Sequence, residues 1–375
     1  MALNMRNITF ASFNLHNLQL PGGPMYPQSR PYTDAEYAEK IWWQADRLRA
    51  FNADVVAFQE VWSADALREM IRTAAMEDDY DLAFIREGDW DGVAVACAVR
   101  KPWEILATTR HKAFPGSMRL AKRKRSMENI REEPPLADAE VSAEDDDAFV
   151  PSQEDERVQV DIDEFSRSVL QVTIGHSRAT RPSVPPMEVF CAHLKSKLAT
   201  PLDNEEYRNP AIQPHRAALG TALSTIRRIA EATALRIILT ETMKDNDRPV
   251  AVLGDLNDSE HSNTLAILTG QPSFRVVATS RAAKRDDDGL YSAVALQKLR
   301  SLGDVYYTHE YRNVREVIDH IMVSEQFYDW SDNRLWSFQE QRYYNDHVPV
   351  ETRTATDHGL VRAEFRWAPA EGVDV

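Results

Sequence analysis

Short apolar runs in this chain stop abruptly at polar residues, and helix-spaced segments separate them. Ile8-Thr9-Phe10-Ala11-Ser12-Phe13-Asn14-Leu15 is the first run, and Val55-Val56-Ala57-Phe58, ending in Gln59-Glu60, is the second. Glu188-Val189-Phe190-Cys191-Ala192-His193 repeats the pattern, as does Val250-Ala251-Val252-Leu253 before Gly254-Asp255-Leu256-Asn257. Short β-branched and aromatic runs bounded by turn formers read as buried strands. Such a chain must build a sheet whose strand ends gather polar side chains, and strand ends are where α/β architectures assemble sites.

The segments between read as helices. Thr33 followed by Glu36 predicts a capping box, each side chain satisfying the other's free backbone N–H. Tyr37, Ile41, Leu48 and Phe51 then fall on one face. Ser63 caps a second helix carrying Leu67, Met70 and Ile71. A long helix is predicted from Gln213 to Met243, with Leu219, Leu223, Ile226, Ala230 and Ile237 as its apolar stripe. Further strands are expected at Asp81–Ile85, Gly92–Val99, Trp103–Thr108, Ser168–Ile174, Glu316–Val323 and Leu360–Trp367. The expected fold class is α/β, a two-sheet core with helices outside.

One stretch departs from this alternation. From Met127 to Glu164 there are 15 acidic residues against 2 basic ones, so most of the net charge of −15 lies there. Arg119, Lys122, Arg123, Lys124 and Arg125 precede it as a basic run. So polar a segment cannot bury enough apolar area to offset its ordering entropy. Residues 115–164 are expected to be a flexible basic-then-acidic insertion in a single domain spanning 1–375. The remainder is nearly neutral, which leaves a polyanionic substrate open. Cys97 and Cys191 sit in apolar runs and read as buried thiols, not as a disulfide or zinc site. No run of about 18 apolar residues predicts a membrane span. Met1–Asn7 is too short and polar for a signal peptide, so the cytoplasm is the expected location.

Gly254 permits close backbone approach, and Asp255 with Asn257 would point the same way on an extended chain. A carboxylate and an amide on one face can deprotonate a water and orient a phosphate; an Asx-turn is the alternative. Asp319, within Val317-Ile318-Asp319-His320-Ile321-Met322-Val323, alternates onto an apolar face, which is costly without a cation or His partner. His358, in Thr356-Asp357-His358-Gly359, is the natural partner. His320 alternates to the opposite face and reads as a packing or surface residue. His16 and His261 receive no role.

Asn14, Gln59-Glu60, His193-Leu194-Lys195-Ser196, Gly254-Asp255-Leu256-Asn257, Ile318-Asp319-His320-Ile321 and Asp357-His358 occur in that order. The series resembles the ordered motifs of the endonuclease/exonuclease/phosphatase superfamily, the DNase I-like fold. The resemblance covers the chain except for the insertion. It implies a four-layered α/β sandwich, two mainly antiparallel sheets packed face to face with helices outside. It also implies that Glu60 binds Mg²⁺ or Mn²⁺, with Asn14 and Asp357 close by. Asp255 would activate water and Asn257 orient the phosphate. His193 and His358 would stabilise the phosphorane, with Asp319 holding His358 in its productive tautomer. Two departures stand out. Gly359-Leu360-Val361 follows Asp357-His358 where many members have His-aromatic-Pro-Val. The segment where many members carry a catalytic tyrosine falls near the insertion, and no such residue can be placed.

The expected activity is hydrolysis of phosphodiester bonds in DNA or RNA. The alternatives are a phosphatase or phosphodiesterase acting on a small or lipid-linked phosphate, and a catalytically silent binding module. Filled acid-base and metal positions argue against the last. Lys195 and Arg315 are candidate substrate contacts. Arg167, ahead of a strand, could meet a phosphate or be simply solvated. Lys197, Arg208, Arg216, Arg312, Arg342, Arg353 and His347 could complete a basic rim, and Trp90, Tyr343 and Tyr344 could stack on bases. The acidic insertion could inhibit the site in cis or dock a protein partner; a plain solvated spacer is the simpler reading.

Overall fold

The computed structural model describes residues 6–84, 92–116, 118, 121–122, 158–159, 161–177, 183–272, 288–300, 307–311, 314–348 and 353–373. The 115–164 insertion lies almost wholly outside them, as do Trp90 and Arg312.

Strand β1 (Ile8–Leu18) leads into α1 (Asp34–Phe51), β2 (Val55–Val61), α2 (Ala64–Thr73), β3 (Tyr80–Phe84) and β4 (Ala94–Arg100). Then follow β5 (Trp103–Ala113), the short β6 (Ala121–Lys122) and β7 (Val158–Gln159), β8 (Glu164–His176) and β9 (Met187–His193). Helices α3 (Asn204–Arg208) and α4 (Arg216–Met243) precede β10 (Val250–Asp255), α5 (Asn263–Thr269), β11 (Tyr291–Ser292) and α6 (Ala293–Arg300). The chain continues through β12 (His309–Tyr311), β13 (Val314–Glu316), β14 (Asp319–Val323), β15 (Trp336–Tyr344) and β16 (Leu360–Trp367).

The strands form two six-stranded sheets, ordered β15-β16-β1-β2-β4-β3 and β11-β14-β10-β9-β8-β5. Each has one parallel pair at its centre, β1 with β2 and β9 with β10, and antiparallel pairs elsewhere. Ile8, Phe10, Val55, Cys97 and Val99 of one sheet share a buried cluster with Val172, Val189, Cys191, Leu253 and Ile321 of the other. Burying each such side chain contributes roughly 1.5–3 kcal/mol. The outer face of the first sheet packs on α1 and α2 through Phe13, Val56, Phe58, Ile41, Leu48 and Leu67. The second sheet's outer face packs on α4 and α5 through Phe190, Val252, Leu235, Leu239 and Leu265. Four layers result, with two mainly antiparallel sheets inside and helices outside, as expected. Both cysteines are buried and free.

Local chemistry explains much of this. Thr33 and Glu36 form the capping box, and Ser63 caps α2. The strand expected from Glu316 divides: Glu316 ends β13, and β14 begins at Asp319.

Helix α4 corrects the periodicity reading. Leu219, Leu223 and Ile226 are 41%, 45% and 44% exposed, while Gly220, Ser224, Arg228 and Glu231 are buried. The first half of α4 lies against the polar backbone after His193 rather than against apolar strands. Glu231 accepts the Lys195 and Ser166 N–H groups at 2.7 and 2.8 Å, and Arg228 donates to the Lys195 carbonyl at 3.2 Å. A Cβ at Gly220 would lie 2.5 Å from the Thr200 oxygen, so the loop approaches as closely as glycine allows.

Candidate active site

Register brings the polar strand ends together. His193 on β9 pairs with Asp255 on β10, and Asp255 pairs with Asp319 on β14, so the three form a row across the second sheet. On the first sheet, Asn14 on β1 pairs with Gln59 on β2, one residue before Glu60. The sheets face each other, so the two rows meet. Asn14 Nδ2 donates to Asp255 Oδ2 at 3.2 Å and lies 3.4 Å from His358 Nε2.

The backbone is unusual at these points. Gly254 has φ +150, and a Cβ there would lie 1.9 Å from the Ala192 oxygen. The close approach read from the sequence therefore holds. Glu60, His16, Asn17 and Asn257 all have left-handed φ values, at +58, +46, +62 and +54. Non-glycine residues adopt this region only where surrounding structure enforces it. In β1 the register slips between Asn14 and Leu18, and in β2 between Phe58 and Val61. These bulges turn Asn14 and Glu60 out of a regular ladder.

At the centre, His358 Nδ1 lies 2.9 Å from Asp319 Oδ2. Its Nε2 lies 3.8 Å from Asp255 Oδ2, and His193 Nε2 lies 3.4 Å from the same oxygen. Asp319 is fully buried, its backbone N–H donating to Thr308 Oγ1 at 3.2 Å. Burial opposes a charge on His358, but Asp319 and Asp255 outweigh it and hold the imidazolium well above the ordinary range. Burial pushes the Asp255 carboxyl up to about 7; the His358 charge opposes this and Asp319 adds to it. Burial drives His193 well below the usual histidine value, with Arg167 and His358 acting in the same direction. One imidazole is thus held charged and the other neutral, a split that strand-end motifs cannot show.

Asn257 differs from the extended-chain reading. Its N–H donates to Asp255 Oδ1 at 2.9 Å, closing an Asx-turn, and its Nδ2 donates to the Leu194 carbonyl at 3.0 Å. The left-handed turn costs it the shared face with Asp255. His320, fully buried, has Nε2 2.8 Å from the Asp258 carbonyl and so packs the turn from behind.

Arg167 lies inside β8 and is not freely solvated. It donates to the Leu194 carbonyl at 3.2 Å and to the Tyr26 hydroxyl at 3.5 Å, and its buried Nε has no partner among the described residues. Glu60 and Asp255 both bear on its charge. The rest of the predicted basic rim is largely paired with acids. Lys197 meets Glu316 at 2.8 Å, Arg315 meets Glu310 at 2.8 Å, and Arg342 meets Glu340 at 2.7 Å. Arg353 meets Glu36 at 3.3 Å. Lys195 Nζ turns back to Ser196 Oγ and the Leu198 carbonyl, both at 3.4 Å. Arg216 stacks 3.7 Å over the Tyr207 ring.

Several neighbours lie outside the ordered motif series; of these, His347 alone is an expected substrate contact. His16 Nδ1 lies 3.7 Å from Asp357 Oδ1, and the His309 ring lies 5.3 Å from that of His358. His347 Nε2 lies 2.8 Å from the His358 carbonyl oxygen. Lys40, on α1, is fully buried beneath the same segment. Burial brings its pKa down to about 7, against Glu60 and Asp357, which push it up. Only the spacing of Lys40 on the buried face of α1, with Tyr37, Ile41 and Gln44, could have marked it.

Two donor groups could hold a cation. Asp255, Asp319 and His358 have ligand atoms within 4.8 Å of one another, but these atoms already contact each other through His358. Glu60 is half-buried and has no hydrogen-bond partner among the described residues. Asp357 is exposed at the mouth, and despite partial burial His358 and His16 hold its carboxyl below the ordinary range. Open carboxylate oxygens such as these fit a hard divalent cation.

No family model matches the chain, and no curated protein matches it. Among solved structures, it is similar to an endonuclease/exonuclease/phosphatase from Bacteroides vulgatus: 15% identity, 96% of this chain, 99% of that chain, TM-score 0.48. It is similar to the human Nocturnin catalytic domain at 12% identity, 96% and 95% coverage and TM-score 0.49. It is also similar to truncated Caenorhabditis elegans TDP2 at 12% identity, 98% and 100% coverage and TM-score 0.47. At such identities and TM-scores the likeness carries nothing about substrate. No helix among the described residues is long and apolar enough to cross a membrane.

Proposed function

We propose that this chain is a divalent-metal-dependent phosphoesterase that cleaves phosphodiester bonds. The observation that carries the reading is the buried row His193–Asp255–Asp319, closed by His358 and Asn14. Asp255, with its pKa near neutrality, is the base that takes a proton from the attacking water. His358, kept charged by Asp319, donates a hydrogen bond to the phosphoryl oxygen as negative charge grows. His193 is neutral, so it supplies a hydrogen bond without competing for the Asp255 proton. Asn14 holds the Asp255 oxygen in place, and Asn257 fixes the turn behind it. Arg167 offers its unpartnered Nε side to a phosphate. Glu60 and Asp357, with Asn14 beside them, would hold Mg²⁺ or Mn²⁺, which would neutralise phosphate charge when bound.

Nucleic acid is the first substrate to test, since Arg167 and the half-buried Lys195 flank the row. A compact phosphoester is the second reading. It is favoured by the paired state of Lys197, Arg315, Arg342 and Arg353, which leaves little unpaired positive charge for a long polyanion. The test incubates the chain with plasmid DNA, single-stranded DNA, RNA and small mono- and diesters, in Mg²⁺ or EDTA. Mg²⁺-dependent cleavage of a nucleic acid supports the first reading. Turnover of small esters alone supports the second. Cleavage of nothing in Mg²⁺ overturns both.

A further inference from the structure

Asp319 begins β14 on the second sheet, and His358 stands just before β16 on the first. Their 2.9 Å contact crosses from one sheet to the other, and no strand ladder joins the two. Thr308, fully buried just before β12, bonds to both sides. Its hydroxyl oxygen accepts the Ile318 N–H at 2.9 Å and the Asp319 N–H at 3.2 Å. Its carbonyl accepts the N–H of Gly359, the residue after His358, at 2.6 Å. Its own N–H donates to the Glu316 carbonyl at 2.9 Å, which ties it to the end of β13. The preceding residue is held from the first sheet as well: Asn345, directly after β15, donates from Nδ2 to the Tyr307 carbonyl at 3.0 Å. Gly359 is buried against this strap. A Cβ there would lie 3.0 Å from Thr308 Cα, 3.1 Å from Asn345 Cβ and 3.3 Å from the Tyr307 oxygen. A side chain at 359 would therefore press the strap and the His358 loop apart.

The residue type matters as much as the place. A threonine hydroxyl oxygen has two lone pairs, and both are used here. Valine has the same shape but would leave the Ile318 and Asp319 N–H groups buried without that acceptor. We propose that Thr308 is a positioning residue that sets the Asp319–His358 contact: its hydroxyl fixes the carboxylate side and its carbonyl fixes the imidazole side. The inference deepens the phosphoesterase reading and rests on it, since Thr308 acts on the chemistry only through that couple. A threonine that merely braced the fold would, when removed, lower activity whether or not Asp319 keeps its carboxylate. A positioning threonine has no effect left to lose once that carboxylate is gone.

The experiment uses the full chain with Thr308→Val, Thr308→Ser and Gly359→Ala, each alone and with Asp319→Asn. The first readout is proton NMR of the isotope-labelled chain, without ligand. An imidazole N–H bonded to a buried carboxylate resonates far downfield, and Asp319→Asn identifies the signal by removing it. Wild type and Thr308→Ser should show it at one position, while Thr308→Val and Gly359→Ala shift it upfield. The second readout is turnover of the nucleic acid or small ester that the chain cleaves. Thr308→Val should lower kcat by about 10–10²-fold with KM little changed, since a misplacement of about 1 Å can cost the larger factor. Thr308→Ser should recover most of the loss, and Thr308→Val should cost nothing further in the Asp319→Asn chain. An unmoved signal in Thr308→Val and Gly359→Ala overturns the proposal, as does the same kcat loss in the Asp319→Asn background. If Thr308→Val does not fold, Gly359→Ala decides by the same two readouts. If the wild type cleaves no ester, the phosphoesterase reading fails, and the NMR signal still decides whether Thr308 sets the contact.

Discussion

The two sheets share one plan, a central parallel pair flanked by antiparallel strands, yet they end very differently. The second sheet ends in a closed polar network. Its side chains are fully or almost fully buried, and Asp255 and Asp319 meet His193, His358 and Asn14 at 2.9 to 3.8 Å. The first sheet ends in open oxygens. Glu60 lacks a hydrogen-bond partner among the described residues, and Asp357 is exposed, with His16 at 3.7 Å as its ion-pair neighbour among them. The difference teaches how one topology divides its labour. Buried groups that contact one another have shifted proton affinities suited to moving protons. Acids left open suit a cation that comes and goes.

The largest expected effect comes from opening the closed end. Asp255→Asn should lower kcat by about 10³–10⁴-fold, the range a positioned base supplies, with folding intact by thermal unfolding. An activity within tenfold of wild type would place the base elsewhere.

Breaking the Asp319–His358 contact tests the charge split. In wild type the acid limb of kcat/KM should sit at about 7, because Asp255 must lose its proton. Activity should persist to a pH well above 6.5, because His358 must keep its own. Asp319→Asn removes the main group raising the His358 pKa, so the alkaline limb should move to lower pH and activity fall by about 10²-fold. An unmoved alkaline limb would detach His358 charge from the chemistry.

The open end should respond to metal instead. Glu60→Gln should raise the Mg²⁺ concentration for half-maximal activity by at least about tenfold, since even outer partners of a metal ligand contribute that much. A matching loss of kcat at saturating Mg²⁺ would blur the contrast between the two ends.

The smallest effect is expected on α4. Leu223→Ser, at a position the helical period marks as core, should change stability by less than about 0.5 kcal/mol in urea unfolding. A loss of ~2 kcal/mol or more, as for a buried leucine, would mean that this face is covered.

Much of the site was legible because it is local. Each strand end, the Gly254 approach, the Thr33–Glu36 capping box and the Asp319 alternation follow from two or three neighbouring residues. The partnership of Asp319 with His358 was also legible, because a carboxylate on an apolar face needs a partner. Asn257 was misread because the Asx-turn that Asp255 makes with it won over strand extension. Leu219, Leu223 and Ile226 were misread because periodicity identifies an apolar stripe without saying what lies opposite it. His16 and His309 gave no signal, and Lys40 gave only its spacing on the buried face of α1, since their partners lie far along the chain.

The sequence alone determined the elements, their order, the polar residue at each strand end and the concentration of acid between Met127 and Glu164. Those properties depend on side-chain type and short-range periodicity. Tertiary structure alone decided that His193, Asp255 and Asp319 stand in one row, that His358 is driven toward its charged form and His193 toward its neutral one, and that Lys40 is buried against the Arg353 and Ala355 carbonyls. Proton affinity and pairing depend on burial and on charges brought close by strand register, and neither exists until the two sheets close on each other.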